Sequence, residues 1–200
     1  MRAPHALFVV ISVAFSMAGA AWAGGQRRPP TVVRIETEMG RIEVEIDLQS
    51  APVTANNFLR YVGAGHFTNG QFHRTVTLDN QPDNDVLIEV IQASVNPELS
   101  DSGFAPIALE RTSLTGLEHS DGTVSMARGG PDSATSSFFI CIGDQPSLDF
   151  GGKRNPDGQG FAAFGRVTHG MEVVRRIHRA PAEGQRLTPP VRILSIVVVE

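Results

Sequence analysis

A few residue groups in this 200-residue sequence have the chemistry to act on a substrate. Phe72-His73-Arg74 places an arginine after an aromatic and a histidine. A guanidinium stays charged and presents several donors in a fixed plane, so it can stabilise a lone pair that appears only during a reaction. Ser125, His73 and one of several aspartates would supply the parts of a Ser-His-Asp hydrolase, but no Gly-x-Ser-x-Gly elbow encloses Ser125. Cys141 is the single cysteine and cannot form a disulfide within the chain. It lies in the apolar run Phe138 to Ile142 with no cationic neighbour, the setting of a buried small hydrophobe rather than a reactive thiolate. His66, His119 and His178 are too scattered to argue for a metal. The carboxylates of Asp79 to Asp85 lack the glycine and terminal glutamate of an EF-hand loop and read as a solvated turn. No metal and no cofactor is expected.

The elements that must position these groups are mostly strands. Gly122–Arg128 and Ser136–Ile142 are short apolar strands joined by the Gly, Pro, Asp and Ser loop 129–135. Val32–Glu36 and Arg41–Leu48 form a hairpin about Met39-Gly40, with Ile42, Val44, Ile46 and Leu48 alternating with charged residues. Ser50–Val62 reads as a helix, capped by Ser50, with Pro52 in its first turn and Val53, Phe58, Leu59 and Val62 as its apolar stripe. Gly63 and Gly65 stop it. Strands are predicted at Phe72–Val76, Val86–Ala93, Phe161–Val167 and Val191–Val199. Residues 97–116 read as mostly irregular, with Phe104, Ile107 and Leu109 as anchors, and Leu148–Gly160 as a surface loop. Met171–His178 is a second helix, with Met171, Val174 and Ile177 on one side. Many strands with two well-separated helices predict a mainly β barrel or sandwich.

Phe72-His73-Arg74, Ser125-Met126-Ala127-Arg128 and Ser137-Phe138-Phe139-Ile140 together resemble the cyclophilins, the cyclosporin-type peptidyl-prolyl cis/trans isomerases. The similarity runs over most of the chain after about residue 31. It implies a closed antiparallel β-barrel with two capping α-helices, and Asn57 and Phe58 as structural helix residues. It also implies proline-containing segments of unfolded or exported proteins as partners. The barrier such enzymes lower is the lost amide resonance of an X–Pro bond, ~18–20 kcal/mol. At the twisted transition state the prolyl nitrogen becomes pyramidal and regains a lone pair, which a positioned donor can bond. By resemblance Arg74 is that catalytic donor. His73, Val90, Gln92, Ala127, Arg128, Phe139, Leu148 and Phe161 would bind substrate. Phe139 would floor the proline slot, Leu148 would wall it, Gln92 would bond substrate backbone, and Ala127 and Arg128 would lie along that backbone. Departures stand beside these matches. Glu89, Val90 and Ser147 replace a phenylalanine, a methionine and a tryptophan of the family pattern, and Ala93-Ser94 replaces Gly-Gly. Weak cyclosporin binding follows from the lost apolar area, unless Glu89 points away. A proline-peptide binding or chaperone module with little catalysis is the alternative reading.

The first residues suit export. Arg2 precedes the nearly wholly apolar Ala6–Ala20, and Ala21-Trp22-Ala23 ends in small residues. The pattern predicts a signal peptide over 1–23, cleaved after Ala23, then a leader over 24–30 and one domain over 31–200. A periplasmic or secreted monomer is expected. The formal net charge is −4 with no basic stripe, which argues against a nucleic-acid partner.

Overall fold

Strict alternation dictates the first two strands. In the structure, a computed structural model describing residues 30–199, β1 (Thr31–Thr37) pairs antiparallel with β2 (Gly40–Ile46). Val33 faces Val44 and Ile35 faces Ile42, and all four are buried. Leu48 lies beyond the strand and is exposed, so the alternation ends at Ile46.

The remaining strands are β3 (Gln71–Val76), β4 (Val90–Ser94), β5 (Thr123–Met126), β6 (Phe138–Cys141), β7 (Ala162–His169), β8 (Ala182–Glu183) and β9 (Arg186–Val199). Their order is β1-β2-β7-β5-β6-β4-β3-β9-β8, and β1 also pairs with β9. Eight strands therefore close into an antiparallel barrel, with β8 as a two-residue addition to β9. Closure removes the free edges that an open sheet would expose. The long β9 makes this possible. It runs beside β3 at Val191 and beside β1 from Ile193 to Val199.

Aromatic rings fill the interior. Phe58 contacts Phe67, Phe138 and Phe164 with ring centroids 5.1–5.4 Å apart, and Phe72 packs edge-on to Phe138. Phe58 comes from α1 (Pro52–Gly63), which packs on β7 and β9. Thr54, Ala55, Asn57, Phe58, Tyr61 and Val62 form its buried face, whereas Val53 is exposed. Asn57 donates to the carbonyl of Thr135 and so ties α1 to the segment entering β6. A four-residue α2 (Thr112–Thr115) and two short 3-10 turns interrupt the loops, and α3 (Met171–His178) packs on β2, β3 and β4. The buried face of α3 is Val173, Val174, Ile177 and His178, with Met171 only partly covered.

Two further expectations are corrected. The strand expected from Val86 begins only at Val90, because Gln81 takes both the N–H and the carbonyl of Ile88 and bends that stretch out of the sheet. Ser50 does not cap α1. Glu110, from 57 residues away, accepts from the amides of Val53 and Thr54 and from the Thr54 hydroxyl at 2.6–3.0 Å. A carboxylate there also favours the positive end of the helix dipole. The expected signal peptide and all but Pro30 of the leader lie outside the described residues. Glu110→Ala is expected to cost about 1–2 kcal/mol, since it strips the cap and leaves a buried Thr54 hydroxyl unpaired. Urea unfolding checks this: the midpoint should fall with an unchanged slope.

Candidate active site

Strand register assembles the site. Arg74 on β3 pairs with Gln92 on β4, Gln92 with Phe139 on β6, and Phe139 with Ser125 on β5. Directly opposed residues share one face of a sheet. Ile91, Phe138 and Ile140 point into the core, so this row lies on the outer face of the barrel.

The half-buried Arg74 guanidinium is held at three of its donors. Nη1 donates to Gln92 Oε1 at 2.9 Å, while Nε and Nη2 both donate to Gln185 Oε1 at 2.9 and 2.6 Å. A guanidinium has five N–H bonds, so two remain. Gln185 is itself anchored, its Nε2 donating to the carbonyl of Asn80. Asn80 in turn donates to the carbonyls of Thr75 and Gly184 and accepts from the amide of Thr77. The 79–85 segment, read from sequence as only a solvated turn, thus also buttresses Arg74. Burial, and then the nearby Arg154, hold the Arg74 pKa below its ordinary value, yet an arginine stays charged near neutrality.

Beside Arg74 lies a buried apolar cluster distinct from the barrel core, where the resemblance places the proline slot. Val76, Ile88, Val90, Phe139, Cys141 and Leu148 cluster there, with Ala127 and Phe161 packed against them. Phe161 meets Phe139 edge-on at 5.3 Å. Gly160 lets the chain entering Phe161 pass close to Leu148 and Asp149: it sits at φ +67°, and a Cβ there would fall 2.6–2.7 Å from their backbone.

Behind Phe139 stacks His119, with centroids 5.9 Å apart. Its Nδ1 bonds Asp149 at 2.7 Å and its Nε2 bonds Ser125 Oγ at 2.9 Å. Ser125 therefore does sit in a Ser-His-Asp array, but with His119, not His73. Ser125 is 0% and His119 2% exposed, so no substrate reaches the hydroxyl. The array backs Phe139; it does not make a nucleophile accessible. Burial likewise pushes the Cys141 thiol far above its ordinary pKa.

The other expected residues divide. His73 lines a cleft of about 570 Å³ together with Arg74, Ser94, Ser137, Gln185 and Arg186. Its Nδ1 is buried without a partner, and burial holds its pKa below the ordinary value. Ala127 borders the slot, its amide donating to the carbonyl of Ser137. The Arg128 guanidinium is engaged within the protein. It is bidentate to Asp157 at 2.7 and 2.9 Å, donates to the carbonyl of Gly160, and lies 5.1 Å over Phe161. Glu89 turns toward α3, where its Oε1 is 3.9 Å from His178 Nε2. Ser147 is partly buried, and its carbonyl accepts from the Arg154 amide. Among the described residues, no group of three or more His, Cys, Asp or Glu could hold a metal ion. Gln185 was missed because it follows the Gly184 turn, 111 residues from Arg74, with no local pattern to mark it.

Hydrogen bonding from Arg128 holds the Asp157 carboxyl down to about 2, against an ordinary 3.8. A depressed carboxylate contributes stability that is present above about 3.8 and lost as pH falls through about 2. Asp157→Asn is therefore expected to destabilise the protein at neutral pH, with the difference vanishing near pH 2. Denaturant midpoints of both proteins across that range check it.

The sequence model described as "Cyclophilin type peptidyl-prolyl cis-trans isomerase/CLD" matches residues 32–198. A peptidyl-prolyl cis-trans isomerase of Streptomyces antibioticus is 35% identical over 170 residues, covering 84% of this chain and 95% of that protein. Peptidyl-prolyl cis-trans isomerase A of Dickeya dadantii is 36% identical over 154 residues, covering 76% of this chain and 74% of the other. A crystal structure of a cyclophilin-type isomerase from Cryptosporidium parvum superposes with a TM-score of 0.70 at 22% identity, covering 86% of this chain and 99% of that one. A second structure of it, in the presence of the dipeptide Ala-Pro, gives a TM-score of 0.68 at 21% identity.

Proposed function

The chain belongs to the cyclophilin-type peptidyl-prolyl cis-trans isomerases, enzymes that need no cofactor, and we propose that Arg74 is the donor that lowers its barrier. The observation carrying this reading is a guanidinium clamped by two neutral amides beside an apolar cluster, with two N–H groups unspent. The proline ring rests on Phe139, between Leu148, Val90 and Phe161. Gln92 and Ala127 stand where they can meet the flanking backbone. As the amide twists, its nitrogen gains a lone pair and Arg74 bonds it. The planar ground-state nitrogen offers no such acceptor, so the contact favours the transition state alone. Because Gln92 and Gln185 already fix the donor, little reorganisation is needed when the lone pair forms. Proline-containing peptides are the substrates of this reading, in keeping with the Ala-Pro dipeptide present with the Cryptosporidium parvum protein. Cyclosporin should bind weakly, since Val90 and Ser147 present less apolar surface than the family's larger side chains.

The apolar N-terminal run favours export, and with it a monomer acting in the periplasm or outside the cell on exported chains. Among the described residues no helix is long and apolar enough to cross a membrane. The exported protein should begin at Gly24, which mass analysis of secreted material would read; retention of Met1 would count against this reading.

Arg74→Ala is expected to lower kcat/KM on a short Ala-Pro peptide by about 100-fold, or ~3 kcal/mol, the scale of hydrogen bonds from a charged donor. Arg74→Lys should recover only part, having no fork. A protease-coupled assay, with folding verified by denaturation, measures both. Loss of less than about threefold in Arg74→Ala would contradict the assignment.

A further inference from the structure

The cleft beside the slot is built around positive charge without a counter-charge. Arg74 on β3 stands directly opposite Arg186 on β9. Like charges at opposed positions of an antiparallel pair repel. Neither forms an ion pair among the described residues: Arg74 is bonded by two neutral glutamines, and Arg186 is exposed. Glu183 pairs with Arg186 across β8 and β9, yet the two form no salt bridge and Glu183 does not line the cleft. No carboxylate lines this space of about 570 Å³, whereas the whole chain carries a net −4. Ser94 and Ser137 add neutral hydroxyls. A concave surface lined by one sign of charge focuses its field on a ligand of the other sign.

We infer that this cleft is a subsite for an acidic side chain, aspartate or glutamate, flanking the substrate proline, with Arg186 as the residue that selects it. The inference rests on the isomerase reading above. A carboxylate seated there would meet the planar fork of Arg186. Selection acts on substrate binding and orientation; no covalent step is involved.

The test uses Ala-Pro peptides carrying Glu, Gln or Lys at each of the two positions on either side of the Ala-Pro pair. At one of these positions the Glu peptide should exceed the Gln peptide in kcat/KM by about three- to fivefold, as for a partly exposed ion pair, and Lys should fall below Gln. The advantage should shrink as salt rises from about 0.05 M to about 0.5 M. Arg186→Glu should invert the order, making Lys the best of the three; if that variant fails to fold, the salt titration of the natural protein decides. Equal rates for all three residues at every position would overturn the inference. So would a Glu advantage that survives Arg186→Glu or high salt. Turnover of the neutral peptide without acid preference would sink this inference alone; no turnover of any peptide would sink it and the isomerase reading together.

Discussion

One constraint organises the molecule: a guanidinium must be held in a fixed orientation without being neutralised. Carboxylates would orient Arg74 as firmly, but they would cancel its charge and compete for it with any acceptor on a substrate. Two side-chain amides avoid this. Gln92 and Gln185 take three N–H groups through neutral oxygens and leave the positive charge whole. Charge-assisted bonds of this kind are stronger than neutral ones and offset part of the cost of half-burying the arginine. The strand order supplies both amides. With β3 seated between β4 and β9, Gln92 arrives from 18 residues along the chain and Gln185 from 111.

A second division separates two apolar clusters. Phe58, Phe72, Phe138 and Phe164 hold the barrel together, while Phe139, Leu148, Val90 and Phe161 form the slot outside it. Adjacent phenylalanines on β6 thus face opposite sides, as the two-residue period of a strand requires. The slot has its own support. His119 backs Phe139 and is fixed from both ring nitrogens, while Arg128 braces Phe161 through Asp157 and Gly160. Ser125 and His119 look like reactive machinery, but their burial and pairing make them scaffolding.

Much of this was legible in the residues. The β1–β2 hairpin could be read because its alternation is local, and α1 because Pro52 and its glycine stop are local too. Phe139 and Gln92 were found through motif, and the register brings them into one row with Arg74. What escaped depends on distant contacts. Glu110 replaces Ser50 as the cap of α1 from 57 residues away, and Gln81 diverts Val86–Glu89 from a strand that propensity alone favours. Ser125 has a histidine partner, but folding rather than motif decides that it is His119. Arg128 matches the family pattern in type, yet its guanidinium is spent on Asp157.

The central claim is that Arg74 acts on the twisted bond and not on binding. NMR exchange on a saturating Ala-Pro peptide gives the interconversion rate within the complex and the dissociation constant in one experiment. For Arg74→Ala the account predicts a bound-state rate at least tenfold slower (~1.4 kcal/mol), with a dissociation constant changed only slightly. An unchanged bound-state rate, with all of the loss in affinity, would contradict it.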